Sequence, residues 1–150
     1  MRLIVQRVSK AHVAVQDQIY GSIQKGLVVL LGIHKNDLLE DTPWFVNKLV
    51  HLRIFSDEMG KMNLSLKQVE GEVLVISQFT LYGNCLNGRR PDFIQAAPGH
   101  VALPIYQKFI SELQQEVKKV ETGQFGAEMQ VSLVNEGPVT LIIEAEEKTN

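Results

Sequence analysis

Glu72-Val73-Leu74-Val75-Ile76-Ser77-Gln78-Phe79-Thr80-Leu81 is the stretch on which the reading of this chain turns. Its first five residues are a plain β-type run of aliphatic and β-branched side chains. Where that strand runs out, two hydroxyls and an amide follow, on Ser77, Gln78 and Thr80. A second apolar run, Leu27-Val28-Val29-Leu30-Leu31-Gly32-Ile33, fits a strand buried on both faces, though period alone does not separate it from a buried helix.

Outward from these two runs the remaining elements fall into place. Arg2 to Val15 alternates loosely and reads as one long strand or two joined by a bend. Gln16-Asp17-Gln18 suits a hairpin turn, Ile19 to Ile23 a return strand and Gln24-Lys25-Gly26 another turn. Thr42 is expected to cap a helix with Pro43 at its first position, and Phe45, Val46, Leu49, Val50 and Leu52 follow at helical spacing. Arg53-Ile54-Phe55 leaves that helix as a short strand. The turn Ser56 to Gly60 has too few acidic positions for a calcium loop.

Tyr82 to Pro91 and Ala97-Pro98-Gly99-His100 read as loops. An amphipathic helix is expected from about Val101 to Val120, with Ile105, Tyr106, Phe109, Ile110, Leu113 and Val117 on one face. Pro104 would lie in its first turn and Glu121-Thr122-Gly123 would stop it. Gln124 to Val134 and Val139 to Ala145 are the last strands, split by Gly137-Pro138, and the tail Glu146 to Asn150 is expected to fray. The order implies an α/β fold: a mixed sheet or partly closed β-barrel with two helices packed on it.

The 150 residues suit one domain, 1–150, with 45% hydrophobic and 21% charged residues. No run approaches the roughly 18–20 apolar residues of a membrane span, and Arg7 interrupts the apolar N-terminal stretch before it reaches the length of a signal peptide. One cysteine, Cys85, excludes an internal disulfide and points to a reducing cytoplasm. A net charge of −2 means that any nucleic acid would be gripped by a local basic patch. Arg89 and Arg90, in a glycine-containing loop before Pro91, are the best candidates for phosphate contacts, with Lys61 a lesser one. Two adjacent arginines on a loop are equally well explained by solvation or by pairing at an interface.

Ser77 and Thr80 invite a nucleophile reading, which needs a base to take the proton. None of the four histidines, His12, His34, His51 and His100, neighbours either hydroxyl in sequence, and no G-x-S-x-G elbow surrounds Ser77. A strand end offers another device: main-chain N–H groups of Gln78 and Phe79 that lose their ladder partners would stabilise an oxyanion. Cys85 has nothing beside it except Arg89 and Arg90 to activate it and reads as incidental.

Ser77-Gln78-Phe79-Thr80 and Asn135-Glu136-Gly137-Pro138-Val139-Thr140 resemble the SQFT and NxGPxT signatures of the D-aminoacyl-tRNA deacylase family. Arg53-Ile54-Phe55, Gly60 to Ser65, Gly88-Arg89-Arg90-Pro91, and Glu121-Thr122-Gly123 through Val131 to Asn135 extend the likeness over nearly the whole chain. The resemblance implies a compact α/β homodimer that hydrolyses the ester of D-aminoacyl-tRNA without metal or other cofactor. It implies that main-chain atoms around Gln78 and Phe79 hold the ester while water attacks, helped by the substrate's own 2′-hydroxyl. Gly137-Pro138 would be cis and would reach into the partner's pocket, rejecting L side chains, accepting D-residues broadly and admitting glycine. Phe79, Ala102, Phe125 and Met129 match adenosine- and pocket-lining positions, although such residues are more often core. Many members carry Ala then Asp after SQFTLY; here Gly83-Asn84 stands there, and a more mobile following loop is expected. Two rivals remain: a nucleic-acid-binding module of the same fold without turnover, and a conventional serine or threonine esterase.

Overall fold

The two apolar runs are neighbours. In the computed structural model, which describes residues 1–145, β3 (Gly26–Gly32) lies parallel to β6 (Glu72–Ser77), from Gly26 opposite Glu72 to Leu31 opposite Ser77. Successive side chains of a strand point to opposite faces. Leu27, Val29 and Leu31 therefore join Val73 and Val75 in a large core. Val28, Leu74 and Ile76 join Val8, Ala11, Val13 and Ile23 in a smaller one. Burial on both faces explains the unbroken apolar runs and decides for strand over helix.

β1 (Arg2–Val15) is a single strand with register shifts on either side of Val8. Its first half pairs antiparallel with β3. Its second half pairs with β2 (Gln18–Ile23) across a turn in which Gln16 and Asp17 both have positive φ. Its other edge pairs with β8 (Gln130–Glu144) along nearly its whole length. β7 (Val120–Thr122) lies parallel to β6 on the far side, and Gly21 of β2 sits against the Thr122 carbonyl. The sheet thus curls into a partly closed barrel around the smaller core. The helices α1 (Thr42–His51) and α2 (Gly99–Glu116) cover the larger one, burying Phe45 and Leu49 from α1 and Phe109 and Leu113 from α2. A ribbon of β4 (Arg53–Ser56) and β5 (Met62–Ser65) stands beside the sheet. In its turn, the Asp57 carboxylate accepts the Met59 and Lys61 N–H groups, and the Lys61 bond above all holds that carboxyl below its usual range.

Several boundaries differ from the sequence expectation, each for a local reason. Thr42 is inside α1, not its cap. A tight turn at Leu39–Asp41 leads straight into the helix, Thr42 already has φ −61° and ψ −39°, and its buried hydroxyl donates to the Leu39 carbonyl. Pro98 caps α2 in extended conformation, so Pro104 falls in the second turn. The helix ends at Glu116 because Val117 turns extended while its N–H still reaches the Leu113 carbonyl, which frees Val120–Thr122 to become β7. β5 was not expected as a strand. Gly137-Pro138 does not divide two strands; it lies within β8. Glu146 to Asn150 lie outside the described residues, and no helix among those described is long and apolar enough to cross a membrane.

The two-core arrangement makes a stability prediction. Leu74 is fully buried in the barrel interior, whereas Leu86 is 91% exposed. Leu74→Ala should cost about 2–5 kcal/mol in urea unfolding, and Leu86→Ala less than about 0.5 kcal/mol. Equal shifts for the two would mean that the smaller core contributes nothing.

Candidate active site

The β3–β6 ladder runs one step past the strand. Gln78 N–H donates to the Leu31 carbonyl at 2.8 Å. The chain then tightens into a 3-10 turn over Phe79–Tyr82, closed by Leu81 N–H to the Gln78 carbonyl at 3.2 Å. This corrects the expected oxyanion donors. The Gln78 N–H is taken by the ladder, whereas those of Phe79 and Thr80 open the turn and have no acceptor within it. The Gln78 side-chain amide donates to Thr80 Oγ1 at 2.5 Å, so the two polar side chains brace each other across the turn.

A cleft of about 460 Å³ opens beside that turn. Ser77, Phe79, Ala102 and Phe125, all singled out from sequence, line it. Phe93 and the segment Ala96-Ala97-Pro98-Gly99, which were not, line it too. Phe79 and Phe93 meet edge to face at 5.1 Å, and Phe125 leans on Tyr106 at 5.3 Å. Burial raises the Tyr106 phenol above its usual range, only partly offset by its hydrogen bond with Thr122, so it stays protonated behind the wall. Ser77 is the one hydroxyl side chain of the lining, and no histidine, carboxylate or amine belongs to it. His34 is engaged elsewhere, accepting from Asn36 N–H through Nδ1, bonded to Gln95 through Nε2 and packed on the Tyr82 ring. Nothing among the described residues builds a nucleophile–base pair with Ser77 or Thr80, and no group of three potential metal-ligating residues occurs among them.

Met129 is not in this lining. Its side chain packs on the barrel core, with its sulfur against Gly123. Arg89 and Arg90 are both exposed on the arm between Asn84 and Asp92. At the base of that arm, Asn84 and Asp92 bridge in both main-chain directions, at 2.8 and 3.1 Å.

The second motif is a bulge in β8. Gln6 pairs with Thr140 and Val8 with Asn135, so Glu136–Val139 stands out opposite Arg7 alone. Asn135 closes its base by imitating a strand partner. Its Oδ1 accepts Val139 N–H at 2.7 Å, and its Nδ2 donates to the Val139 carbonyl at 3.1 Å and to Thr140 Oγ1 at 3.0 Å. The Arg7 guanidinium holds the flank, donating to the Glu136 carbonyl at 2.8 Å and the Ile54 carbonyl at 2.7 Å. Gly137-Pro138, both exposed at the tip, are joined by a cis bond. Gly137 has φ +145°, and a Cβ there would meet Val139 N at 2.9 Å, so glycine is required. Arg7 was the residue missed: its signal, a charge in the middle of a strand-like run, served in the sequence reading only to interrupt an apolar stretch.

The two motifs do not meet within one chain. The bulge is level with Leu27 of β3, and Ser77 is level with Leu31. That is about 13 Å along the strands, and β8 lies three strand spacings, about 14 Å, from β6.

Other proteins are similar to this chain over nearly its whole length. A D-aminoacyl-tRNA deacylase from Protochlamydia amoebophila is 61% identical over 145 residues, 97% of this chain and 96% of that protein. One from a Geobacillus strain is 53% identical over 148 residues, 99% of this chain and 97% of that protein. The solved structure of the c-Myc DNA unwinding element binding protein superposes with a TM-score of 0.91 at 38% identity, covering 97% of this chain and 99% of that one. The family model for D-Tyr-tRNA(Tyr) deacylase matches residues 4–144, and the chain belongs to that family.

Proposed function

We propose that this chain, as one domain over residues 1–150, is a cytoplasmic homodimeric hydrolase that cleaves D-aminoacyl-tRNA to a free D-amino acid and tRNA, with glycyl-tRNA also admitted. The observation that carries this reading is the pairing of an apolar cleft bare of acid–base side chains with a braced Gly-Pro bulge elsewhere on the same sheet. Chemistry without a side-chain base must be done by main-chain dipoles and by the substrate. In the proposed step water adds to the ester carbonyl, and the oxyanion is stabilised by the free N–H groups at Phe79 and Thr80. The tetrahedral intermediate then collapses, releasing the ribose oxygen, which takes up the proton given up by the attacking water and relayed by the neighbouring 2′-hydroxyl. Ser77 borders the reacting carbon, and Gln78 and Thr80 hold the turn in shape. Ala102 and Phe125 hold the terminal nucleoside, and Met129 stays outside the cleft, packed on the smaller core against Gly123.

Chirality is assigned to Gly137 and Pro138 of the partner subunit, brought to the cleft by pairing two copies. β8 suits that role. It is an edge strand that leaves apolar side chains exposed, among them Val134, Leu141 and Ile142, and such an edge is a template for association. A filter made of main chain touches only what every amino acid shares, so it sorts by configuration and ignores the side chain. Arg89 and Arg90 are assigned to tRNA phosphates.

A second reading has one observation in its favour, the 38% identity to a DNA unwinding element binding protein. It makes the chain a nucleic-acid-binding module without turnover.

With chelator present, the purified protein should hydrolyse D-Tyr-tRNA and spare L-Tyr-tRNA, and Gly137→Ala should lower D-ester turnover by about 100-fold. Loss of both esters would sink the chiral filter; loss of neither would leave the binding module. Ile142→Glu should shift the chain to monomer in sedimentation and reduce turnover in parallel; an active monomer would remove the partner from the site. Arg89→Ala with Arg90→Ala should raise KM and flatten its salt dependence by about 0.7–0.9 log unit per lost phosphate contact, and an unchanged slope would return these arginines to solvent.

A further inference from the structure

Between Gly83 and Phe93 the chain leaves the cleft and returns to it. The turn after Ser77 ends at Tyr82, and Phe93 is back in the cleft wall. The excursion between them is pinned at its base. Besides the two main-chain bonds, Asn84 Nδ2 donates to Asp92 Oδ2 at 3.1 Å. The remaining oxygens are also used: Asn84 Oδ1 accepts Leu86 N–H at 3.1 Å, and Asp92 Oδ1 accepts Ile94 N–H at 3.3 Å. With both outer oxygens occupied, the inner contact works only if one partner is an amide and the other a carboxylate.

Phe93 is held by this base. Its ring meets Phe79 edge to face, and the two rings remain 37% and 56% exposed. Core aromatics of this chain such as Phe45 and Phe109 are almost fully buried, so this pair has a surface left to cover. Gly83 makes room for it. A Cβ there would lie 3.0 Å from Phe93 Cε1 and 3.0 Å from the Thr80 carbonyl oxygen. A planar base laid on exposed aromatic rings gains stacking with little sequence preference.

We infer that Asn84 and Asp92 form a latch that positions Phe93 as a second aromatic contact, beside Phe79, for the 3′-terminal nucleoside of the acylated RNA. The inference rests on the proposed reading of the cleft as the seat of that nucleoside. It makes Phe93 a binding residue and the Asn84–Asp92 pair positioning residues. It also ties the nucleoside wall to Arg89 and Arg90, which ride on the same latched arm.

The test reverses the latch. Asn84→Asp sets two carboxylates against each other; adding Asp92→Asn restores one amide and one carboxylate with every outer contact kept. Two readouts are taken on the full chain at neutral pH: kcat and KM for D-Tyr-tRNA, and the rate of tryptic cleavage after Arg89, which reports release of the arm without any substrate. Asn84→Asp should raise KM at least about fivefold with kcat little changed, and speed cleavage by a similar factor. The double variant should bring both back to wild type. Phe93→Leu should raise KM about fivefold or more while leaving the cleavage rate unchanged. Wild-type KM and cleavage rate in Asn84→Asp, or a double variant as impaired as the single one, would overturn the latch. Wild-type KM in Phe93→Leu would overturn the contact. A wild-type chain that hydrolyses neither ester would overturn the hydrolase reading and with it the role of Phe93 in binding the nucleoside, while the cleavage rates alone would still decide the latch.

Discussion

The parallel pairing of β3 with β6 is the contact on which the rest depends. Each strand feeds alternate side chains into two cores, so a one-residue slip would exchange the contents of both. That double commitment fixes where the ladder must stop. Its last bond, from Gln78 N–H to the Leu31 carbonyl, leaves the following N–H groups without ladder partners. Open α/β sheets bind ligands beyond the carboxyl ends of their parallel strands, and the cleft of this chain lies at that end, beside Ser77 and Phe79. The site follows from the termination of a ladder more than from the chemistry of any one side chain.

That explains which parts were legible in the sequence. Strands buried on both faces announce themselves as apolar runs, and the helices by their spacing, so the layered α/β plan could be read. The ends of elements could not. Thr42 looks like a cap, but a preceding turn already made it helical, and only the Leu39 carbonyl reveals that. The end of α2 was hidden because Val117 remains buried whether it belongs to the helix or to the crossing into β7. Gly137-Pro138 looked like a turn between strands because a strand tolerates such a pair only at a bulge, and the bulge is built by Asn135 imitating a partner strand. At the site, Gln78 has its N–H claimed by Leu31, forty-seven residues earlier, through the β3–β6 register, and Met129 packs on the smaller core, whose members come from other strands. Arg7 shows only a charge within a strand-like run and Phe93 shows nothing local, since their roles come from Glu136, Ile54 and Phe79 across the fold.

The bulge shows how main-chain groups at a sheet edge can be held by side chains. A loop at a sheet edge is ordinarily the most pliable part of a fold. Here Asn135 bonds both the N–H and the carbonyl of Val139, Thr140 receives the same amide, and Arg7 spans from Glu136 to Ile54. Apart from the contact to the Thr140 hydroxyl, each of these is a side chain spent on holding backbone. A filter for configuration needs this rigidity, because the difference between D and L esters is an exchange of two substituents at one carbon, and a surface that yields by an ångström would admit both.

The same geometry bears on why a second copy belongs in the proposed mechanism. The bulge and the cleft are at opposite ends of β3 and on different strands, and no bend of β8 brings them together without dismantling the β1–β8 ladder that spans the sheet. An apolar edge strand left open along its length is a hazard in solution. In the proposed mechanism, covering it with another copy would remove the hazard and carry the braced bulge off its own chain towards a second cleft. Stability and selectivity would then rest on one surface. A substitution that opens the pairing would expose the edge and empty the filter together, which leaves little room for a folded monomer that still hydrolyses the ester but has lost its choice of hand.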